Sequence, residues 1–209
     1  MPGNAAQCRP PVERRGTAAD QRGYRGGVER ILVSACLLGR PVRYDGTAKR
    51  SDDEILANWR AEGRLLSCCP EVSGGLPVPR PPAEISSAPG PGSAGPLPAD
   101  DGSVTGGAAV LDGTAQVRTA GGIDVTAAFV RGAEQALEVA QRYAVRMAVL
   151  KEGSPSCGSG RIYDGSFTGI PVPGGGVTTA LLQRNGIRVF GEDQLEAAAA
   201  FLDELESPH

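Results

Sequence analysis

"ILVSACLLG", residues 31–39, is an apolar run that ends on a thiol and a glycine. Ile31–Ala35 shows no polar alternation, which is the pattern of a short strand buried on both faces. Two later stretches repeat the arrangement. In "RLLSCCPE" (64–71) the run Leu65–Ser67 leads to Cys69 and a Pro-Glu turn. In "MAVLKEGSPSCG" (147–158) the run Met147–Leu150 leads, through a Gly- and Pro-punctuated loop, to Cys157. Helical patterns lie between these runs. Ser51 or Asp52 is placed to cap "EILANWRA", and Gly63 to end it. Phe129, Ala133, Ala136, Leu137, Ala140 and Ala144 recur at threes and fours, so 126–144 is a predicted helix. Val177–Arg184 is a shorter helix stopped at Asn185-Gly186, followed by a strand at Ile187–Phe190 and a final helix at Asp193–Leu205. Asp112-Gly113, between "AAVL" and "TAQV", carries a type I′ hairpin signal. Strands alternating with helices predict an α/β fold, a three-layer sandwich with a mainly parallel sheet plus a small β-hairpin.

The 209 residues, 40% of them hydrophobic, suit one domain with a core of its own. Residues 1–29 carry arginines, Gly and Pro without apolar period and are expected to form a disordered tail, leaving 30–209 as the folded unit. Residues 86–106 are dominated by Gly, Pro, Ser and Ala and are expected to be a flexible insertion. Val28 is a candidate alternative start. No apolar stretch follows Met1 and none approaches a membrane span, so the expected compartment is the cytoplasm and no membrane partner is expected. The formal charge is −3, and with +6 and −3 inside residues 1–30 the remainder stands at −6. That acidic balance argues against a large nucleic-acid partner. The oligomeric state is not encoded in any feature of the sequence.

The only histidine is His209, so Ser-His-Asp or Cys-His catalysis has no imidazole to use, and most catalytic zinc sites are excluded with it. Proton transfer falls to Asp, Glu, Lys, Tyr or Cys. Five cysteines in a chain with no export signal point away from a disulfide scaffold. Cys8 sits in the tail, and strand alternation assigns Cys68 to the core and Cys69 to the turn. In open α/β sheets ligands collect beyond the carboxyl ends of the strands. Cys36, Cys69 and Cys157 therefore meet at one edge if their strands are parallel neighbours. Taken singly, each is as well explained as a small buried hydrophobe. Taken together, three thiolates without histidine fall short of a tetrahedral structural zinc but can hold a [4Fe–4S] cluster that keeps one iron open to a sulfur donor.

"ILVSACLLGRPVRYDG", "CPEVSGGLPVPRPPAEI", "DVTAAFVRGAEQAL", "LKEGSPSCGSGRIYDG" and "GVTTALLQRNGIRVF" together resemble the thiouracil desulfurase family, over roughly residues 30–192. The resemblance implies an α/β fold with a [4Fe–4S] cluster on three cysteines, and removal of sulfur from thiouracil to give uracil and sulfide without net redox change. It implies Cys36, Cys69 and Cys157 as cluster ligands, Glu71 of "CPE" as the acid–base carboxylate and Ser154 of "SPSCG" as a substrate-site hydroxyl. The expected partner is a small thiolated base. Two other readings stay open: sulfur handling on a thiolated tRNA base, and a non-enzymatic scaffold bearing zinc or bare thiols. Without the resemblance Glu71 would pass as a solvated turn carboxylate and Ser154 as the hydroxyl of its own turn. "RYDG" (43–46) and "IYDG" (162–165) are turns, with Arg43 or Asp45 as possible base contacts. Lys49-Arg50 is a possible anion steer, and Lys151 either contacts substrate or snorkels. "GSGRIYDG" and "PGGGV" lack the spacing of a phosphate-binding loop.

Overall fold

Four parallel strands in the order β2-β1-β5-β8 form the centre of the molecule. The computed structural model describes residues 28–87 and 106–207. In chain order the elements are β1 (Ile31–Ser34), α1 (Glu54–Ala61), β2 (Leu65–Cys68), α2 (Pro70–Ser73), β3 (Ala83–Ser87), α3 (Gly107–Leu111), β4 (Ala115–Thr119) and α4 (Thr126–Arg142), then β5 (Met147–Leu150), β6 (Arg161–Tyr163), β7 (Pro171–Pro173), α5 (Val177–Arg184), β8 (Arg188–Gly191) and α6 (Leu195–Glu206). A 3-10 turn, Ala35–Leu38, follows β1 directly.

Both faces of the central sheet are covered, which is why its inner strands carry apolar residues without alternation. On one face Ile31, Val33, Met147 and Val149 pack against Leu56 and Trp59 of α1 and Leu195, Ala198 and Leu202 of α6. On the other, Leu32, Leu66, Cys68, Ala148 and Leu150 meet Ala136 and Ala140 of α4 and Leu182 of α5. The result is the expected three-layer α/β arrangement. A third apolar cluster lies outside α4, where Phe129 and Ala133 meet Ile85, Val117, Ile162 and Val177. Two small antiparallel pairs flank it, β3 with β4 and β6 with β7.

The small hairpin is therefore present as β6-β7, but Asp112-Gly113 does not make one. "GAAVL" is helix α3, and β4 pairs instead with β3. A type I′ turn needs positive φ at both central residues. Asp112 has φ −85, and only Gly113, at +76, is left-handed, in its common place just after a helix end. The helix cap at residue 53 also differs from the expected Ser51 or Asp52: Asp53 Oδ1 accepts from the Ile55 amide at 2.8 Å. The edges of the expected irregular segments shift inward as well. Ser86 and Ser87 belong to β3, Gly106 bridges to Gly175, and Glu29 pairs with Arg146. Residues 1–27 of the tail, with Cys8, the bulk of the insertion, and His209 lie outside the described residues. Among the described residues no helix is long and apolar enough to cross a membrane.

Candidate active site

β1 and β5 are neighbours at the centre of the sheet, while the chain runs outward from β1 to β2 before returning to β5. That reversal makes a topological switch point, the place where open α/β sheets form a ligand crevice. Cys36 lies in the turn after β1, Cys69 directly after β2, and Cys157 in the loop after β5. All three are free thiols, and all three line one cavity of about 380 Å³ together with Glu71 and Ser154. Cys69 is not bonded to its neighbour Cys68, which is buried against the α4 face.

The thiols sense one another. Burial pushes Cys36 up to about 11, and the charge of Cys69 adds to this while Lys151 and Arg43 oppose it. Burial also raises Cys69, with Glu71 next in effect. Cys157 is raised most, chiefly by burial; a hydrogen bond from Ser34 opposes the shift, and Cys69, Glu71 and Cys36 add to it. Three sulfurs in such surroundings become thiolates together only when positive charge enters among them. Among the described residues no group of three or more His, Cys, Asp or Glu is close enough to hold a single metal ion. The donor set is soft and contains no imidazole. A [4Fe–4S] cluster fits that description, and a structural zinc does not.

Each wall has a local cause. Pro70 starts α2 with its fixed φ, which sets Glu71 one residue into the turn after Cys69. α2 then lies backbone to backbone on α4: a Cβ on Gly132 would stand 2.0 Å from the Pro70 carbonyl oxygen, and one on Gly74 1.9 Å from that of Ala128. The Cys157 loop docks on α5 in the same way. The amides of Gly176, Val177 and Thr178 donate to the carbonyls of Gly158, Pro155 and Ser156 at 2.8, 2.9 and 2.9 Å. Thr179 Oγ1 donates to the Cys157 carbonyl at 2.9 Å. This is the role of "PGGGV": close approach of two backbones, with no phosphate needed.

Ser154 holds its own turn and also lines the cavity. Its hydroxyl oxygen accepts from the amides of Ser156 and Cys157 at 3.1 and 3.2 Å, and the hydroxyl donates to Glu71 Oε1 at 3.3 Å. Glu71 is no solvated carboxylate: its side chain is 16% exposed and pairs with Arg80. Arg43, Lys49 and Lys151 also line the cavity. Arg43 pairs with Asp45 at 3.3 Å, and Lys151 with Glu192. Asp45 and Arg50 are not among the lining residues; Arg50 pairs with exposed Asp52.

Sequence reasoning missed several cavity residues, Arg80, Glu152, Tyr44 and Tyr163 among them. Arg80 stands among prolines with no periodic signal, and Glu152 is an acid inside a glycine-rich loop. Buried Glu152 takes the amides of Ser159, Gly160 and Arg161 at 2.8, 3.1 and 3.1 Å and so shapes the turn beyond Cys157. Tyr44 and Tyr163, 42% and 37% exposed, stand in the lining with open ring surface. The "YDG" repeat that holds them was visible, but only its turn chemistry was read.

A parallel α/β sheet whose switch-point cavity gathers three free thiols, a carboxylate and a hydroxyl defines a thiol-lined centre of enzyme type. The model of the 2-thiouracil desulfurase family matches residues 31–194, and the chain belongs to that family. It is 41% identical over 165 residues to the uncharacterized protein YbbK of Bacillus subtilis (strain 168), covering 79% of this chain and 97% of that one. It is also similar to a solved [4Fe-4S]-dependent thiouracil desulfidase, TudS, with 50% identity and a TM-score of 0.69, over 84% of this chain and 99% of that one.

Proposed function

We propose that this protein is an iron–sulfur-dependent desulfidase that replaces the sulfur of a thiolated pyrimidine base with oxygen. Cys36, Cys69 and Cys157 hold a [4Fe–4S] cluster, and Glu71 and Ser154 serve the substrate. Support comes from one observation above all: three free thiols delivered by three adjacent parallel strands line the cavity that also contains Glu71 and Ser154. Family membership and the likeness to the TudS desulfidase point the same way. When bound, such a cluster supplies an iron with an open position, a soft Lewis acid suited to a thione sulfur.

The chain's own residues account for the rest. The balance is one water in and one hydrogen sulfide out, so no electron changes hands. Glu71 Oε1 faces Ser154 across the cavity and is the group that takes the proton from the attacking water. The Ser154 hydroxyl is oriented by the two amides it accepts from, which leaves its proton to direct. Tyr44 and Tyr163 offer ring faces at the opening, where a planar base can lie against them. The free base is the substrate most in keeping with a cavity of about 380 Å³.

The test is anaerobic reconstitution with iron and sulfide, followed by assay on 2-thiouracil and 4-thiouracil for released sulfide and uracil. Cluster-loaded protein that releases sulfide from neither base sinks the substrate. Cys36→Ala, Cys69→Ala and Cys157→Ala should each lose iron; variants that retain it like wild type sink the ligand set.

A further inference from the structure

We infer that Arg80 is a positioning residue that divides the two oxygens of the Glu71 carboxylate, holding Oε2 and leaving Oε1 to face Ser154 and the cavity. The inference rests on the function proposed above and extends it to a residue given no role so far. Arg80 side-chain exposure is 6%. Its Nε and Nη2 both donate to Glu71 Oε2, at 2.8 and 2.6 Å. Nη1 and Nη2 each donate to the Val42 carbonyl at 3.2 Å, and Nη1 donates to that of Pro77 at 3.1 Å. A guanidinium has five N–H donors, and these contacts occupy all of them. Arg80 therefore has no donor left for a ligand, and its effect on the reaction must pass through Glu71. Among the described residues Oε1 has a single hydrogen-bond partner, the Ser154 hydroxyl at 3.3 Å.

The physical reason for such a clamp is geometric. A glutamate has three side-chain torsions, and a free carboxylate presents either oxygen in many poses. Arginine's planar fork fixes one oxygen and with it the direction of the other. Burying the pair is not by itself a gain in stability, so a clamp of this kind is best explained by what it orients. The fork is itself seated on fixed backbone: the Arg80 amide donates to the Tyr44 carbonyl at 2.8 Å. The Val42 carbonyl it grips also lies 3.8 Å from Cys69 Sγ. A purely structural role for Arg80 would therefore show at the Cys69 side of the cavity.

The experiment uses cluster-loaded wild type, Arg80→Gln, Arg80→Lys, Glu71→Gln and the Arg80→Gln/Glu71→Gln double variant. Arg80→Gln should lower kcat about a hundredfold with KM and iron per chain unchanged, the scale of a misplaced catalytic group. In the Glu71→Gln background the same change should cost less than about threefold, because coupled neighbours are not additive. Arg80→Lys keeps the charge but loses the fork, and should stay about tenfold below wild type. It also carries the test if Arg80→Gln does not fold. Equal losses in both backgrounds, full kcat in Arg80→Lys, or iron loss in step with rate loss would each overturn the inference. A second readout needs no turnover: the infrared carboxylate bands that vanish in Glu71→Gln should move in Arg80→Lys, and unmoved bands also overturn it. Wild type that loads iron yet releases no sulfide sinks the parent function instead, and the infrared comparison then judges Arg80 separately.

Discussion

The two sides of the cavity are built differently. The side formed by Ser154–Gly160 is held from a distance. The start of α5 grips it through three amides, the buried Glu152 carboxylate takes three more, and Gly176 lets the two backbones touch. The opposite side, Arg43–Lys49, is held mostly by itself. Gly46 donates to the Arg43 carbonyl at 2.9 Å, the Thr47 amide to Asp45 Oδ1 at 2.9 Å, and Arg43 Nη1 to Thr47 Oγ1 at 2.9 Å. Its backbone is tied to the body through the Tyr44 carbonyl and the Lys49 amide. The first side carries a thiol of the proposed cluster, and the second carries an exposed ring. Fixed geometry for a ligand needs support from beyond its own loop, whereas a turn that meets a passing base does not.

The strongest way to break this contrast is to separate the two backbones. A Cβ on Gly176 would lie 2.3 Å from the carbonyl carbon of Ser156. No rotamer relieves a clash with backbone, so Gly176→Ala should cost on the order of 3 kcal/mol in a urea unfolding curve. Gly160 is the control, since a Cβ there meets nothing within 4 Å. Gly160→Ala should change stability by less than about 0.5 kcal/mol. Equal unfolding midpoints for the two variants would mean that the Cys157 side is not clamped. Gly132→Ala probes the same logic under α2, where the obstacle is the Pro70 carbonyl oxygen 2.0 Å away. A loss of similar size is expected, again on the order of 3 kcal/mol.

Glu152→Gln is a gentler cut. Oε1 takes the Ser159 and Gly160 amides and Oε2 takes that of Arg161. An amide side chain has one acceptor oxygen and turns an NH2 toward an N–H donor, which leaves at least one part-buried donor unmatched. The expected loss is about 2 kcal/mol, with faster hydrogen exchange at Gly160 and Arg161. Unchanged exchange at both amides would show that the loop keeps its shape without the carboxylate.

How much of this could be read beforehand depends on the range of the forces involved. Ile31–Ser34 and Met147–Leu150 were legible because strands buried on both faces leave continuous apolar runs, and α4 because its buried face repeats at threes and fours. The thiols were legible as strand-ending residues, though only the sheet order makes neighbours of β2, β1 and β5. The strand–strand pairing of β3 with β4 left no local trace, and "AAVL" next to Asp-Gly mimicked a hairpin until its own φ angles decided for a helix. The role of Arg80 was invisible although its motif was quoted: it depends on the carbonyl of distant Val42 and on a turn that folds Glu71 and Pro77 back onto the guanidinium, and no sequence pattern announces either.

Tyr44 should give the smallest effect on stability, and it sharpens the contrast most. Tyr44 is 42% exposed, and the Arg43 guanidinium stands 5.7 Å from the ring centroid. At an exposed site such a contact is worth about 0.5 kcal/mol, so Tyr44→Ala should lower stability by about that much and Tyr44→Phe by less. If the ring receives a planar base, Tyr44→Ala should raise KM about fivefold, the weight of a stacking contact of about 1 kcal/mol. Tyr44→Phe should keep wild-type KM, because the face and not the hydroxyl makes the contact, and kcat should hold in both variants because a stacking contact serves binding and not the proton transfer at Glu71. A Tyr44→Ala protein that unfolds as early as Glu152→Gln would show that the Arg43–Lys49 turn is a built wall too, and the division between a side that holds and a side that receives would then be lost.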